Sequence, residues 1–260
     1  MSNSINNKKN ILFICGFNTF ETNTYDSIFN EFKKYDQLSN SYNIVQYKTT
    51  YNLDDICYNI ILEILSNDYK HIIVHSMGGF LITKVLHMIK NTTFIRLLVK
   101  SKLKRIKFIL LNPMLEQLNN IKLLHNIIPR CLSQYIYLPK LFSIPSYKLD
   151  NQSNLFSDMV KSDSYSWILY KLVYDSYDCA EFADFDNFIG IYSELGLGKN
   201  INIIYSIYDE VVPILPENLN KLQNKFNLYK LNGKHEPFTT SNTKELQENF
   251  FKVFNMLVNE

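Results

Sequence analysis

The sequence predicts an α/β fold in which helices cover both faces of a mostly parallel sheet. Short apolar runs typical of buried strands alternate with longer segments whose apolar residues recur at helical spacing. Strands joined by helical crossovers pair in parallel, because each crossover returns the chain to the same edge of the sheet. At 260 residues, the chain is long enough for one such domain with a substantial core.

The predicted elements follow one another in a regular order. Strands are predicted at residues 11–15, 42–47, 72–74, 105–111, 200–205 and 225–231, and helices at 25–35, 54–65 and 80–89. The first ten residues are polar and are predicted to form a disordered lead-in. In the second helix, one set of isoleucines recurs at the spacing of a single buried stripe: Ile56, Ile60, Ile61 and Ile64.

Between Met114 and about Gly190 the alternation of strands and helices breaks. This segment contains prolines, short stretches of helical pattern and many aromatic residues. Its aromatic side chains suit an apolar ligand and equally suit packing of the segment onto the main domain, and the sequence leaves both interpretations open. We therefore predict a single domain over residues 1–260 that carries an insertion at about 114–190.

The most informative segment is residues 71–81, where a serine lies between a predicted strand and a predicted helix. Gly78 and Gly79 follow the apolar strand residues and allow a tight turn before the helix. Ser76 therefore falls on the bend, with its hydroxyl above the sheet and unpaired helix N–H groups behind it. That position suits a nucleophile, although the same residues also suit an ordinary turn.

Two further polar residues follow later strands. Asp209 comes just after the strand predicted at 200–205, and His235 comes just after the strand predicted at 225–231. Because parallel strands end at one edge of a sheet, we expect both side chains to lie near Ser76. Ser, Asp and His in this order, each after a strand, is the chain order of one class of catalytic triad.

Four segments together resemble the α/β-hydrolase superfamily, and the resemblance covers nearly the whole chain. Residues 74–79 resemble its nucleophile elbow, 207–213 its acid loop, 233–238 its histidine loop, and 11–18 the strand and loop that supply half of the oxyanion hole. The resemblance implies an α/β-hydrolase fold in which the insertion at about 114–190 is a helical cap. Within the superfamily, the chain is most similar to monoglyceride lipases and small esterases.

Two residues depart from the pattern of the superfamily. Val74 stands where the elbow has its first glycine, and overpacking at such a close approach costs about 1–3 kcal/mol unless the neighbours adjust. We expect the structure to accommodate Val74, because strands favour valine. Cys15 replaces the histidine that usually precedes Gly16, which removes a structural support of the oxyanion loop.

The resemblance implies a serine hydrolase that cleaves carboxylic esters, with small apolar or monoacylglycerol-like substrates. Ser76 is then the nucleophile that forms an acyl-enzyme, His235 the general base, and Asp209 the residue that orients the imidazole. The backbone N–H groups of Phe17 and Met77 are expected to form the oxyanion hole. No cofactor and no metal is expected.

An alternative is a non-catalytic binding protein of the same fold, whose elbow is impaired by Val74. His75 adjoins Ser76, but neighbouring strand residues face opposite ways, so we expect a structural role for its ring rather than a role as base.

Composition disfavours several other functions. The net charge of +2 gives no strong attraction to nucleic acid, and we expect the basic run at 100–107 to be a solvated connection into the next strand. The four cysteines are scattered, which predicts reduced, buried thiols in a cytoplasmic protein. No run approaches the roughly 18 apolar residues of a membrane span, so only transient contact with a lipid surface is left open.

Overall fold

The structure, a computed structural model, describes residues 10–16, 23–35, 42–45, 53–115, 185–240 and 242–259. Its strands are β1 (Ile11–Ile14), β2 (Tyr42–Val45), β3 (His71–His75), β4 (Lys107–Leu111), β5 (Ile201–Ser206) and β6 (Asn227–Leu231). They form one sheet in the order β2-β1-β3-β4-β5-β6. Every pairing of neighbours in this sheet is parallel, which confirms the predicted sheet type.

Helices lie between these strands, as the sequence predicts. They are α1 (Asp26–Tyr35), α2 (Leu53–Ser66), α3 (Met77–Asn91), α4 (Thr93–Leu103), α5 (Phe185–Glu194), α6 (Pro216–Gln223) and α7 (Lys244–Asn259). The isoleucine stripe predicted for helix α2 is buried at all four positions.

The sheet has an apolar core on each face. Alternate residues of a strand point to opposite faces, and in β3 Ile72 and Val74 enter one core while Ile73 enters the other. Helices α2, α3, α4 and α5 contribute to the first core, and helices α1 and α7 contribute to the second. Helices therefore cover both faces, as predicted for this fold class.

Helix α3 begins three residues earlier than predicted, at Met77, so Gly78 and Gly79 lie in its first turn rather than before it. Their role is to let the first turn of the helix approach neighbouring elements closely. A Cβ atom at Gly78 would lie 2.7 Å from the Ile14 carbonyl oxygen, and one at Gly79 would lie 2.6 Å from the Cβ atom of Pro113. The missing side chains allow the start of the helix to pack directly against β1 and the loop after β4.

Helix α4 was not predicted, and the expectation of a solvated connection at residues 100–107 is wrong for the first half of that run. Lys100 to Leu103 form the last turn of helix α4, and only a short turn separates it from β4. The inner stripe of the helix, Ile95, Val99 and Leu103, has regular spacing of four residues. Further apolar residues on the outer face obscure that period in the sequence.

Two predicted segments lie outside the described residues. These are the polar lead-in, apart from Asn10, and residues 116–184 of the predicted insertion, so both remain predictions. The C-terminal end of the predicted insertion, residues 185–190, forms the first part of helix α5 and buries Phe185 and Phe188.

Candidate active site

Ser76 occupies the sharp turn between β3 and α3. Its backbone has φ 52° and ψ −121°, a conformation that residues other than glycine rarely adopt and that costs about 1–3 kcal/mol. Three hydrogen bonds hold it there: its N–H donates to the Leu111 carbonyl (3.1 Å), and its own carbonyl accepts from Gly79 (2.9 Å) and Met114 (2.9 Å). The fold thus maintains a strained turn at the serine that the sequence singles out.

The structure brings the three predicted side chains together. The Oγ atom of Ser76 lies 2.9 Å from Nε2 of His235, and Nδ1 of His235 lies 2.8 Å from Oδ2 of Asp209. All three residues are buried. With Nδ1–H donating to the Asp209 carboxylate, Nε2 is left free to accept the Ser76 hydroxyl proton.

The loop after β5 orients the carboxylate of Asp209. The backbone N–H groups of Val211 and Val212 both donate to Oδ1, at 2.8 and 2.9 Å. These two bonds occupy one carboxylate oxygen and leave Oδ2 facing His235. The two local bonds, from residues two and three positions after Asp209, thus orient its carboxylate towards His235.

Asn112 is a site residue that sequence reasoning missed. It follows β4 with a positive φ of 38°, and it is buried. Its Oδ1 atom accepts the Ser206 N–H at 2.7 Å, while its Nδ2 atom donates to Ser206 Oγ at 3.0 Å and to the His235 carbonyl at 2.7 Å. One side chain therefore ties the ends of β4 and β5 to the loop that carries His235.

A second buried relay runs behind the nucleophile. The Gly16 N–H donates to the Tyr25 hydroxyl at 2.7 Å, that hydroxyl bonds Nδ1 of His75 at 2.7 Å, and Nε2 of His75 bonds the His235 carbonyl at 3.2 Å. Burial, and then the charge of His235, hold the pKa of His75 well below its ordinary value. A neutral His75 ring satisfies both of its hydrogen bonds, because Nδ1 accepts from the Tyr25 hydroxyl and Nε2–H donates to the His235 carbonyl. This is the structural role expected for His75.

The structure accommodates both departures from the superfamily pattern, Cys15 and Val74, in different ways. The support expected to be lost with Cys15 is supplied by Tyr25, whose hydroxyl holds the Gly16 amide. Val74 is fully buried in the core beside α3 and pairs with Ile14 and Leu110 in the sheet. It packs as an ordinary strand residue, so the expected accommodation is confirmed.

Of the two predicted oxyanion donors, Met77 and Phe17, only Met77 lies among the described residues. Met77 is the first residue of helix α3, so its N–H is one of those that have no partner within the helix. Phe17 lies outside the described residues, which end at Gly16 before that loop. The N–H of Phe17 therefore stays a prediction.

Glu236, next to His235, is a buried carboxyl group that no sequence pattern marks. It is 2% exposed, and within the described part of the chain neither carboxyl oxygen has a hydrogen-bond partner. Burial raises its pKa to about 7; a proton on His235 would lower this pKa, and the negative charge of Asp209 raises it further.

We expect Glu236→Gln to become more stable relative to wild type as pH rises. A carboxyl group whose pKa is raised from 4.5 to about 7 on folding binds more protons in the folded state. The free energy of unfolding of the wild type should therefore fall by on the order of 3 kcal/mol as pH rises from 4.5 to about 7. The variant has no such titration, so the difference in Tm between variant and wild type should grow between about pH 5 and about pH 8.

The control for this pH series is Glu31→Gln, which removes a buried carboxylate that has partners in Lys34 and Asn255. The Tm of Glu31→Gln relative to wild type should not increase with pH in the same way. A Tm difference for Glu236→Gln that stays constant with pH would show that the carboxyl group is not protonated on folding.

Within the described ranges, no cluster of three or more His, Cys, Asp and Glu side chains is arranged to bind a metal ion. No helix there combines the length and apolar character needed to span a membrane.

Solved structures similar to this chain include several hydrolases. One is olei00960, a hydrolase from Oleispira antarctica (TM-score 0.55, 12% identity, 97% of this chain and 92% of that chain covered). Another is MGS-MChE2, an alpha/beta hydrolase enzyme from a sediment metagenome of the Mar Chica lagoon, Morocco (TM-score 0.51, 10% identity, 96% of this chain and 91% of that chain covered). A third is described with LipS and LipT, two metagenome-derived lipolytic enzymes (TM-score 0.54, 10% identity, 98% of this chain and 95% of that chain covered).

No protein-family model matches the chain, and no curated protein sequence is detectably similar to it. At 10–12% identity, the structural similarity shows a shared fold.

Proposed function

We propose that this chain, which has the α/β-hydrolase fold, is a serine hydrolase that cleaves carboxylic esters. The observation that carries the proposal is the continuous chain of hydrogen bonds from Ser76 Oγ through His235 to Asp209, at 2.9 and 2.8 Å. The strained backbone of Ser76 supports it, because such strain is typical of functional sites.

In the proposed reaction, Ser76 Oγ attacks the ester carbonyl carbon while His235 Nε2 takes the hydroxyl proton. Asp209 stabilises the resulting imidazolium and keeps Nδ1 protonated. The N–H groups assigned to the oxyanion hole, those of Met77 and Phe17, receive the negative charge on the former carbonyl oxygen.

Collapse of this intermediate breaks the bond to the leaving alcohol, which takes its proton from His235 and leaves an acyl-enzyme on Ser76. Water then attacks the acyl carbon with His235 again as base. The second collapse releases the carboxylic acid and returns the proton to Ser76. The net reaction is ester plus water to acid plus alcohol, with no cofactor.

The proposed substrate is small and apolar or monoacylglycerol-like, and the residues that adjoin the triad are apolar. Met77 adjoins Ser76, the Met114 N–H bonds the Ser76 carbonyl, and Val212 bonds Asp209, and all three side chains belong to the same apolar core cluster. The similarity to lipolytic enzymes fits this substrate class. The free, buried thiol of Cys57 fits a reducing, cytoplasmic location.

A fluorophosphonate probe tests the proposal directly. We expect the wild-type protein to be labelled on Ser76, as located by peptide mass spectrometry, and Ser76→Ala to be unlabelled. The matched control is Ser101→Ala, which removes an exposed serine of helix α4 and should label like wild type. A folded wild-type protein that is not labelled, or is labelled equally in Ser76→Ala, would favour the non-catalytic binding protein.

A further inference from the structure

Helix α4 exposes an apolar face that packing of the fold does not require. Its inner stripe, Ile95, Val99 and Leu103, already packs onto the core beside α3. On the outside, Phe94, Leu97 and Leu98 are 72%, 69% and 50% exposed. These three residues are three and four positions apart, so they form one continuous surface on the helix. Grouped exposed apolar residues of this kind mark interaction sites more often than isolated ones do.

The same segment concentrates positive charge. Residues 90–107 contain seven lysines and arginines and no aspartate or glutamate, although the whole chain has a net charge of only +2. Lys90 and Lys102 pair with acidic residues of neighbouring elements. The others that flank the outer face are exposed: Arg96, Lys100, Lys104 and Arg105. Lys100 lies three residues after Leu97, so basic and apolar groups share this surface.

We propose that this surface, defined by Phe94, Leu97, Leu98 and the flanking basic residues, binds peripherally to an anionic lipid bilayer. Phenylalanine and leucine beside lysine and arginine are the combination that interfacial helices use, since the apolar groups enter the bilayer and the cations attract anionic headgroups. A second copy of the chain fits less well, because two identical basic surfaces repel each other. Nucleic acid also fits less well, because a base could stack on Phe94 but the charged phosphate backbone would leave Leu97 and Leu98 without an apolar partner.

The position of helix α4 keeps this surface separate from the candidate active site. The Nζ atom of Lys102 donates to the carbonyls of Leu65 (2.8 Å) and Asn67 (3.3 Å), which precede β3. The C-terminal end of helix α4 therefore lies at the edge of the sheet where β3 and β4 begin, whereas Ser76 follows the opposite end of β3. Binding would hold the protein at a membrane while the site faces away from it, so the proposal does not rest on the hydrolase function.

Vesicle sedimentation tests the proposal with the full chain. We expect wild type to sediment with phosphatidylcholine vesicles that contain phosphatidylserine, to bind vesicles of phosphatidylcholine alone much less, and to be released by salt. Phe94→Ser combined with Leu97→Ser should reduce the partition about tenfold or more. Lys100→Glu combined with Lys104→Glu should abolish the preference for phosphatidylserine.

The matched control is Tyr58→Ser combined with Leu62→Ser, which removes two side chains of helix α2 that are 55% and 58% exposed. This control should bind like wild type, and hydrolysis of a soluble ester should be unchanged in all of these variants. Any of four results overturns the proposal: no sedimentation of wild type, equal binding to neutral vesicles, an equal loss in the control, or a wild-type dimer that the Phe94 and Leu97 changes convert to a monomer.

Discussion

Replacing Asp209 with asparagine should lower the kcat of ester hydrolysis by about 10⁴-fold while the fold is kept. The reason lies in the hydrogen bonds of the loop. The N–H groups of Val211 and Val212 both require an acceptor, so the asparagine oxygen will take the place of Oδ1 and its NH₂ group will face His235. Nδ1 of His235 must then accept a hydrogen bond from this NH₂ group, so the ring proton moves to Nε2, which can no longer accept from Ser76.

Turnover of a chromogenic short-chain ester measures this effect, together with the Tm of each protein. Asp186→Asn is the matched control, because Asp186 is a carboxylate in an exposed ion pair with Lys221, 2.9 Å apart, and such pairs contribute little. The rate of fluorophosphonate labelling should fall in parallel with turnover in Asp209→Asn. Labelling at the wild-type rate would show that the tautomer of His235 does not limit nucleophilic attack by Ser76.

The sequence could predict the sheet and the three polar side chains because their signals are local. An apolar run such as Ile72 to Val74 marks a buried strand, and parallel strands bring the residues that follow them to one edge. The loops that carry Ser76, Asp209 and His235 could therefore be placed together without knowledge of the strand order.

Other parts of the site depend on which strands become neighbours, and no local pattern contains that information. Asn112 looks like an ordinary loop residue before Pro113 until β4 lies beside β5, where its amide meets Ser206 and the His235 loop. In the same way, Tyr25 becomes a partner of Gly16 and His75 only once helix α1 packs on the sheet. Helix α4 could not be predicted for a different reason. The apolar residues on its outer face obscure the four-residue spacing of the apolar residues on its inner face.

Asn112→Ala should reduce both stability and turnover, because Asn112 links the strands to the histidine loop. The change leaves the Ser206 N–H and the His235 carbonyl without their amide partner, and alanine tolerates the positive φ of 38° less well than asparagine. Together these losses should lower the free energy of unfolding by about 2–4 kcal/mol. His235 keeps its carbonyl bond to His75, so the loop should shift rather than detach, and kcat should fall by about 10²-fold.

Asn202→Ala separates the two effects. Asn202 is also a buried asparagine of this sheet, with hydrogen bonds to Phe108 and Asn227, but it lies at the start of β5 rather than at its end. Its loss should lower stability while kcat stays near the wild-type value at a temperature where both variants are folded. Chemical denaturation measures the first quantity and steady-state kinetics the second. If the two variants lost kcat equally, turnover would depend on the stability of the sheet as a whole, and the position of the His235 loop would not depend on Asn112.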